Sequence, residues 1–251
     1  MRLYFIAIQF LTIIRLPFSV RCDEKDLGRS LSFFPMVGLT LGALLAGLNQ
    51  LLSFALPRGV VDLLLVAALA AVTGVLHLDG LADVCDGLAA RGNRERFLKV
   101  MKDSRTGAAG AIGLILALLL KYEALLHVSV DMKQQALFCF PLLARFAQVL
   151  MIGGARQARS NGLGSVFIHG AGWQQVVAAA VFTLAAAVLF AGLRGLWIFV
   201  AVCLLTWFLK TWFHRKIGGI TGDIIGFASE LNEILSLLMI LALSGQKALT
   251  P

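Results

Sequence analysis

The sequence predicts an all-α fold, a polytopic membrane bundle of about six to seven transmembrane helices in one integral membrane domain, residues 1–251. Hydrophobic residues make up 59% of the chain and charged residues only 14%, whereas about a quarter of the residues in a soluble domain are charged. Mean hydropathy is +0.87. Several uncharged stretches also approach the roughly 20 residues that cross a hydrocarbon layer. The four cysteines include no Cys-x-x-Cys pair, so neither a disulfide framework nor a zinc site is indicated.

Apolar stretches follow one another along the whole chain. The first, Leu3–Leu16, is too short to span, so we interpret it as an N-terminal interfacial helix. The predicted spans are Phe33–Ala55, Val60–Leu78, Gly107–Val128, Ala136–Gly153, Val176–Leu193, Leu196–Leu209 and Ile234–Leu243. The last is short unless its helix begins near Ala228. We expect Lys121 and Glu123 to snorkel from the far end of the third span. We expect the charge of Arg145 to lie in the interior of the fourth span.

Lysine and arginine are distributed unevenly among the loops. Because the spans alternate, the loops before Phe33 and around Arg91, Arg156 and Arg215 share one side, and they carry most of these residues. The other side holds Arg58, Lys133, Arg194 and Lys247. The positive-inside rule therefore places the rich side in the cytoplasm, as in a multi-pass protein of the bacterial cytoplasmic (inner) membrane. The net charge of +8 requires no nucleic acid as a partner.

The polar segment after the second span begins with a repeated Asp-Gly-Leu-Ala unit. Its aspartates, Asp79, Asp83 and Asp86, have the spacing i, i+4 and i+7, which places them on one helix face. Their mutual repulsion would be relieved by a divalent cation, and an all-oxygen set favours Mg²⁺, which usually also binds substrate phosphates. The alternative is that they only cap or solvate the helix end. His77, just before them, is either an interfacial filler or a substrate-binding residue.

The same segment ends where the third span begins. Lys102 and Arg105 can bind phosphate oxygens, and Asp103 adds a fourth carboxylate near the free amides of the next helix. A charged cap on the cytoplasmic side is the alternative interpretation.

Two further segments on this side have the composition of sites. Residues 156–172 contain Arg156 and a Gly162-Leu-Gly164 turn, and residues 217–233 contain Asp223 and Glu230 at helical spacing. The glycines between 218 and 226 predict a loop of close backbone approach rather than a helix start. Small-residue helix packing is the alternative for them.

All of these polar clusters fall on one predicted side of the membrane, so we expect a single cytoplasmic site. A transporter would place carboxylates near the midplanes of its spans and would pair broken helices in its two halves. The sequence shows neither arrangement, and transport remains an alternative.

Four motifs occur in a fixed order along the chain. They read His77-Leu-Asp79-Gly-Leu-Ala-Asp83-x-x-Asp86-Gly, Met101-Lys-Asp-Ser-Arg105-x-Gly107, Gly162-Leu-Gly164-x-Val-Phe-Ile168 and Gly218-Gly-x-Thr221-Gly-Asp223-x-x-Gly226. In this order and spacing the chain resembles the cobalamin synthase (adenosylcobinamide-GDP ribazoletransferase) family. The resemblance covers nearly the whole length, including Phe10-Leu-Thr-x-x-Arg15-Leu-Pro17 and Phe34-Pro-x-Val-Gly38.

The resemblance implies the final stage of cobalamin biosynthesis. In that reaction adenosylcobinamide-GDP joins α-ribazole or its 5′-phosphate, GMP is released, and Mg²⁺ is required. For this reaction our hypothesis assigns Asp79, Asp83 and Asp86 to Mg²⁺ bridging the GDP pyrophosphate. The expected catalytic residues are Asp103, as a further ligand or as the base for the attacking ribose hydroxyl, with Lys102 and Arg105 on the departing GMP. The expected substrate-binding residues are His77, Arg156, Gly162, Gly164, Asp223 and Glu230, of which the last two could instead hold a second cation.

A CDP-alcohol phosphotransferase is the alternative enzyme class, because its motif also begins Asp-Gly-x-x-Ala. That pattern continues with arginine, where this chain has Asp83, so the motif breaks. Besides its two substrates, we expect membrane lipid as a partner. The sequence leaves open whether the chain forms homo-oligomers or associates with other cobalamin-assembly enzymes.

Overall fold

The computed structural model describes residues 1–17, 21–158, 167, 170 and 172–244, and within these residues every regular element is helical. The helices are α1 (Arg2–Leu11), α2 (Glu24–Ser30), α3 (Phe34–Leu52), α4 (Arg58–Val72), α5 (Leu76–Ala89), α6 (Arg94–Val100), α7 (Ala108–His127), α8 (Val130–Ile152), α9 (Trp173–Ile217) and α10 (Gly222–Leu243). A 3₁₀ turn, Leu31–Phe33, joins α2 to α3. The predicted all-α class is confirmed.

Five of the described helices are long and apolar enough to cross a membrane, and α4 with α5 would make a sixth pass as a bent pair. The five are the continuous stretch Lys25–Leu52, α7, α8, α9 and α10. Helix α1 has only 10 residues, which confirms that the N-terminal segment is too short to span. These observations confirm a polytopic helical membrane protein.

Helix α9 turns back on itself in its middle. Gly192 has φ 57° and ψ −139°, and a Cβ added to Gly195 would lie 2.0 Å from the carbonyl oxygen of Ala187. Residues eight apart on a straight helix are separated by about 12 Å, so the chain reverses here. Helix α9 therefore supplies two apolar arms, in agreement with the two spans predicted on either side of Arg194.

The second predicted span, Val60–Leu78, is wrong in its last third. Helix α4 ends at Val72, and α5 begins after a bend of 89°. The bend is made by Gly74 and Val75, whose φ values of 60° and 61° lie in the left-handed region, where a β-branched residue such as valine is rarely found. As a result α5 runs across the bundle. The polar segment after the second predicted span is helical in α5, in agreement with the helical spacing of its aspartates, and again in α6.

Helices α8 and α10 form the centre of the bundle. In their apolar stretches 83% and 72% of the residues are buried, whereas the buried share is 28% in the apolar stretches of α7 and of α9. Helix α3 lies against α8 with close backbone contact, because a Cβ on Gly38 would be 2.4 Å from the carbonyl oxygen of Pro141. Helix α10 begins at Gly222, earlier than predicted, and Thr221 caps it by accepting a hydrogen bond from Ile224 N–H. The expectation of a loop up to Gly226 is therefore wrong.

A further correction concerns Lys133, which the sequence analysis assigned to a loop. It lies inside α8 and is 2% exposed. Its ammonium contacts both carboxylate oxygens of Asp62 at 3.2 and 3.3 Å, and Asp62 also accepts from Arg58, which donates to Asn49. These four polar side chains join α3, α4 and α8 at the end of the bundle away from the aspartates.

Candidate active site

The three aspartates of the repeated unit lie on one helix, α5, as the sequence predicts. Asp79 is exposed, and Asp83 and Asp86 are half-buried. The first turn of α10 crosses α5 at Gly80, where a Cβ would lie 2.6 Å from the carbonyl oxygen of Asp223 and 3.0 Å from its Cα. Only a glycine permits this approach, and it brings the backbone of Asp223 beside the helix turn between Asp79 and Asp83.

Asp86 caps the neighbouring helix α7. Its Oδ2 accepts a hydrogen bond from Gly107 N–H at 2.7 Å, and its Oδ1 accepts one from Gly110 N–H at 2.8 Å. Gly107 is the N-cap residue of α7 and has no side chain of its own, so Asp86 satisfies amides that would otherwise lack a partner and places a negative charge at the positive end of the helix. The cap was the alternative interpretation for these aspartates. For Asp86 the role of metal ligand stays a prediction.

The loop before α7 contains a tight pair between Asp103 and Arg105. The Asp103 carboxylate accepts from Arg105 Nε at 3.0 Å, from Nη2 at 2.8 Å and from the Arg105 backbone N–H at 3.1 Å. These hydrogen bonds lower the pKa of Asp103 to about 2. A carboxylate with so low a pKa is a weak general base near neutral pH, so the structure favours a role for Asp103 in orienting Arg105. Lys102 is exposed in the same loop.

The two glycine-containing segments meet on the side of the bundle where α5, α6 and the start of α7 lie. Ile220 N–H donates to the carbonyl oxygen of Arg156 at 2.9 Å, and Ala158 N–H donates to that of Ile220 at 3.0 Å. A Cβ on Gly219 would be 2.4 Å from the Arg156 carbonyl oxygen, which explains the glycine. Arg94 of α6 donates to the Ala158 carbonyl oxygen at 3.0 Å. The expected gathering of polar segments at one end is thus observed for these residues.

Part of one predicted segment cannot be compared with the structure. Gly162 and Gly164, with His169 beyond them, lie outside the described residues. Their assignment as substrate-binding residues stays a prediction. The Arg156 side chain is exposed at the same end.

A buried ion network lies beneath the aspartate helix, α5, which carries Asp79, Asp83 and Asp86. The Lys121 ammonium donates to the carboxylates of both Glu230 and Glu233, and Arg145 Nη1 donates to Glu233 at 3.1 Å. All four side chains are no more than 6% exposed. The prediction that Lys121 snorkels towards the membrane surface is therefore wrong, since it turns inward to two carboxylates. Because the same contact pairs Glu230 with Lys121, the structure gives no support to Glu230 as a substrate-binding residue.

The network reaches the start of α5 through Gln148 and Ser229. Arg145 Nη1 donates to Ser229 Oγ at 2.8 Å, and Gln148 Nε2 donates to the same oxygen at 2.9 Å. Gln148 Nε2 also lies 2.6 Å from His77 Nε2. His77 is 4% exposed, so it faces the bundle interior rather than a substrate at the surface.

Sequence reasoning missed Lys121 and Gln148 as members of this network. A signal was present: Glu230 and Glu233 are two carboxylates one turn apart in an apolar helix, and such groups require cations inside the bundle. Arg145 alone could not balance both. Gln148 carried no signal, because a single amide in an apolar span is common.

The suitability of this end for Mg²⁺ depends on its donor set. Within residues 1–17, 21–158 and 172–244, no three His, Cys, Asp or Glu side chains surround a common metal position. Mg²⁺, however, is usually bound through one or two carboxylates and completes its shell with water and substrate phosphates. Asp79 and Asp83 are one helical turn apart and carry hard oxygen donors, so they meet that smaller requirement.

Comparisons with known proteins identify relatives over nearly the full length. The model of the cobalamin-5-phosphate synthase family matches residues 3–241. An adenosylcobinamide-GDP ribazoletransferase of Geotalea daltonii is 63% identical over 246 residues, 98% of this chain and 99% of the relative. The proteins of that name from Acetivibrio thermocellus and Clostridium tetani are 34% and 30% identical, and they cover 93% and 96% of this chain and 95% and 96% of their own. No solved structure matches significantly.

Proposed function

The chain belongs to the cobalamin-5-phosphate synthase family, and we infer that it is an adenosylcobinamide-GDP ribazoletransferase acting at the final stage of cobalamin biosynthesis. The observation that carries this inference is the 63% identity to a ribazoletransferase over 98% of the chain. The resemblance read from the four motifs is thereby confirmed. The comparisons give no support to the transporter or to the CDP-alcohol phosphotransferase.

The reaction is a phosphoryl-type substitution on a pyrophosphate. A hydroxyl of α-ribazole, or of its 5′-phosphate, attacks the phosphorus atom attached to cobinamide. The new bond joins the ribazole oxygen to that phosphorus, the bridging P–O bond breaks, GMP leaves, and the hydroxyl proton is released to solvent or a base. Such transfers depend mainly on positioning and on stabilising charge, so side chains at one rigid end of a helix bundle suit them.

For the pyrophosphate we propose a Mg²⁺ ion held by Asp79 and Asp83. When bound, the metal would neutralise the phosphate charge that builds up as GMP departs. Support comes from the position of these carboxylates on α5, where the first turn of α10 brings Asp223 beside them. Asp86, which caps α7 through Gly107 and Gly110, would keep the start of that helix against the metal-binding helix.

The cationic side chains at the same end would contact the phosphate oxygens. Arg105 is exposed over 86% of its side chain, and its guanidinium is oriented by Asp103. Lys102 is exposed three residues before Arg105, and Arg156 is exposed in the segment that pairs with Ile220. We propose that these three bind the GMP portion, because arginine and lysine are the usual ligands of phosphate groups.

We further propose that this end faces the cytoplasm of a bacterial cell and that the bundle lies in the cytoplasmic membrane. The excess of Lys and Arg in the loops at this end supports the orientation. Reporter fusions after Arg94 and after Ser129, which joins α7 to α8, should report opposite sides with Arg94 inside. The same side for both would refute it.

The function can be tested with the purified protein in proteoliposomes. With adenosylcobinamide-GDP, α-ribazole and Mg²⁺, we expect GMP and the joined product in equal amounts, and chelation of Mg²⁺ should stop both. Asp83→Asn should lower the rate at least tenfold, an effect of more than about 1.4 kcal/mol on the barrier. Asp131→Asn removes an exposed carboxylate at the opposite end of the bundle and should leave the rate unchanged. GMP release without the joined product, or no dependence on Mg²⁺, would contradict the proposal.

A further inference from the structure

Gln148 lies where three helices meet below the aspartate helix. It is 1% exposed in α8, and its amide nitrogen contacts His77 at the start of α5 and Ser229 in α10. It lies four positions before the last residue of α8, Ile152, which is a distance of about 6 Å along the helix at 1.5 Å per residue. Gln148 therefore joins the first turn of α5 to the rigid centre of the bundle.

The first turn of α5 has little support of its own. It follows the 89° bend, its N-cap residue Val75 is left-handed, and no side chain caps its amides. Its direction must therefore be set by contacts with other helices. Those contacts include the close approach of α10 at Gly226, where a Cβ would lie 3.2 Å from the His77 Cα, and at Gly80, which the backbone of Asp223 meets. They also include the hydrogen bond between Gln148 and His77.

The other side of Gln148 is fixed by the ion network. Ser229 Oγ receives hydrogen bonds from both Gln148 and Arg145, and Arg145 is held by Glu233. The two cations, Lys121 and Arg145, balance the two carboxylates, Glu230 and Glu233. Within the described residues, Arg145 Nε and Nη2 have no hydrogen-bond partner, so the orientation of the Gln148 amide rests on its hydrogen bond to Ser229, whose hydroxyl Arg145 also contacts.

We propose that Gln148 is a positioning residue for the transfer reaction. By holding His77, it sets the direction of α5 and hence the place of Asp79, two residues later, and of Asp83 relative to Asp223. The proposal rests on the proposed transferase function. It assigns Gln148 no contact with substrate, and the ion network acts on the reaction through it.

The test compares the reaction kinetics of variants with those of the parent protein in proteoliposomes. Gln148→Met keeps the length and removes the hydrogen bonds, and we expect it to lower kcat/KM for adenosylcobinamide-GDP by about 10- to 100-fold, the scale of a misplacement near 1 Å. The Mg²⁺ concentration for half-maximal rate should rise, whereas KM for α-ribazole should not change. Asn232→Leu is the matched control: it removes a buried amide of α10 that contacts Thr206 and the Ala228 carbonyl, and it should stay within about twofold of the parent.

A double-mutant cycle distinguishes positioning from general damage. If Gln148 acts through His77, the variant His77→Phe with Gln148→Met should be no more than about threefold worse than the more severe single variant. Multiplication of the two single effects would overturn the proposal, as would parental kinetics and Mg²⁺ dependence in a folded Gln148→Met protein. Should that variant not fold, Gln148→Asn, whose amide is one methylene too short to reach His77, must show the same rise in the Mg²⁺ requirement. An inactive parent protein would instead refute the proposed function.

Discussion

Removal of the Lys121 ammonium is the perturbation that the buried network makes most informative. In Lys121→Met, Glu233 keeps Arg145 at 3.1 Å, but Glu230 loses the cation that it contacts and remains 4% exposed. Breaking a buried pair by removing one partner costs about 3–5 kcal/mol. Protonation of Glu230 would limit the cost, so we expect a value near the lower end, about 3 kcal/mol.

Thermal unfolding in detergent, followed by the loss of the monodisperse elution peak, measures this effect. At about 2–4 °C per kcal/mol for a chain of this size, 3 kcal/mol lowers Tm by about 6–12 °C. The double variant Lys121→Met with Glu230→Gln leaves a neutral network of Arg145 and Glu233, and it should recover at least half of the loss. Arg105→Met, which breaks an exposed pair, should shift Tm by no more than about 1 °C.

Two results would refute the reasoning. One is a Lys121→Met protein that melts with the parent. The other is a double variant that is less stable than Lys121→Met, because the loss would then come from the packing of the lysine side chain rather than from an uncompensated carboxylate.

The remaining predictions concern the surface around α7. Gly110→Ala should lower activity at least tenfold, because its Cβ would lie 2.4 Å from the Asp86 Oδ2 and would displace that side chain. The control Gly47→Ala, where a Cβ meets nothing within 4 Å, should leave activity and Tm unchanged. Equal effects of the two substitutions would contradict the account. Since the pKa of Asp103 is lowered to about 2, its contribution to stability is present above about pH 4 and lost as the pH falls through 2. Asp103→Asn should therefore keep the shape of the pH–rate profile between pH 5 and 9, while it weakens binding of the GMP portion of the substrate. Loss of the acidic limb of that profile would instead show that Asp103 is the general base.

The helical class and most spans followed from the sequence because hydropathy responds to the same lipid environment that selects helices. The 89° bend did not, since Gly74 and Val75 give no pattern that differs from an apolar span. The 222–226 region was misjudged for a related reason: its glycines lower helix propensity, but the close packing of α10 against His77 and Gly80 stabilises a helix there.

For the site, the aspartate helix α5 also shows which features the sequence could predict and which it could not. Spacing alone placed Asp79, Asp83 and Asp86 on one helix face, and the structure confirms that. Spacing could not show that Asp86 faces the amides of α7, because that contact joins residues 21 and 24 positions apart in sequence. The ion network was out of reach for the same reason, since Lys121 and Glu230 are 109 positions apart.

The central claim is that α5 holds the pyrophosphate through a metal ion at one end of the bundle. An electron cryo-microscopy structure with adenosylcobinamide-GDP and Mg²⁺ tests it most directly. The account predicts metal density about 2.0–2.1 Å from carboxylate oxygens of Asp79 and Asp83, with pyrophosphate oxygens completing the shell. Pyrophosphate bound away from α5, or a metal shell without either of these aspartates, would contradict it.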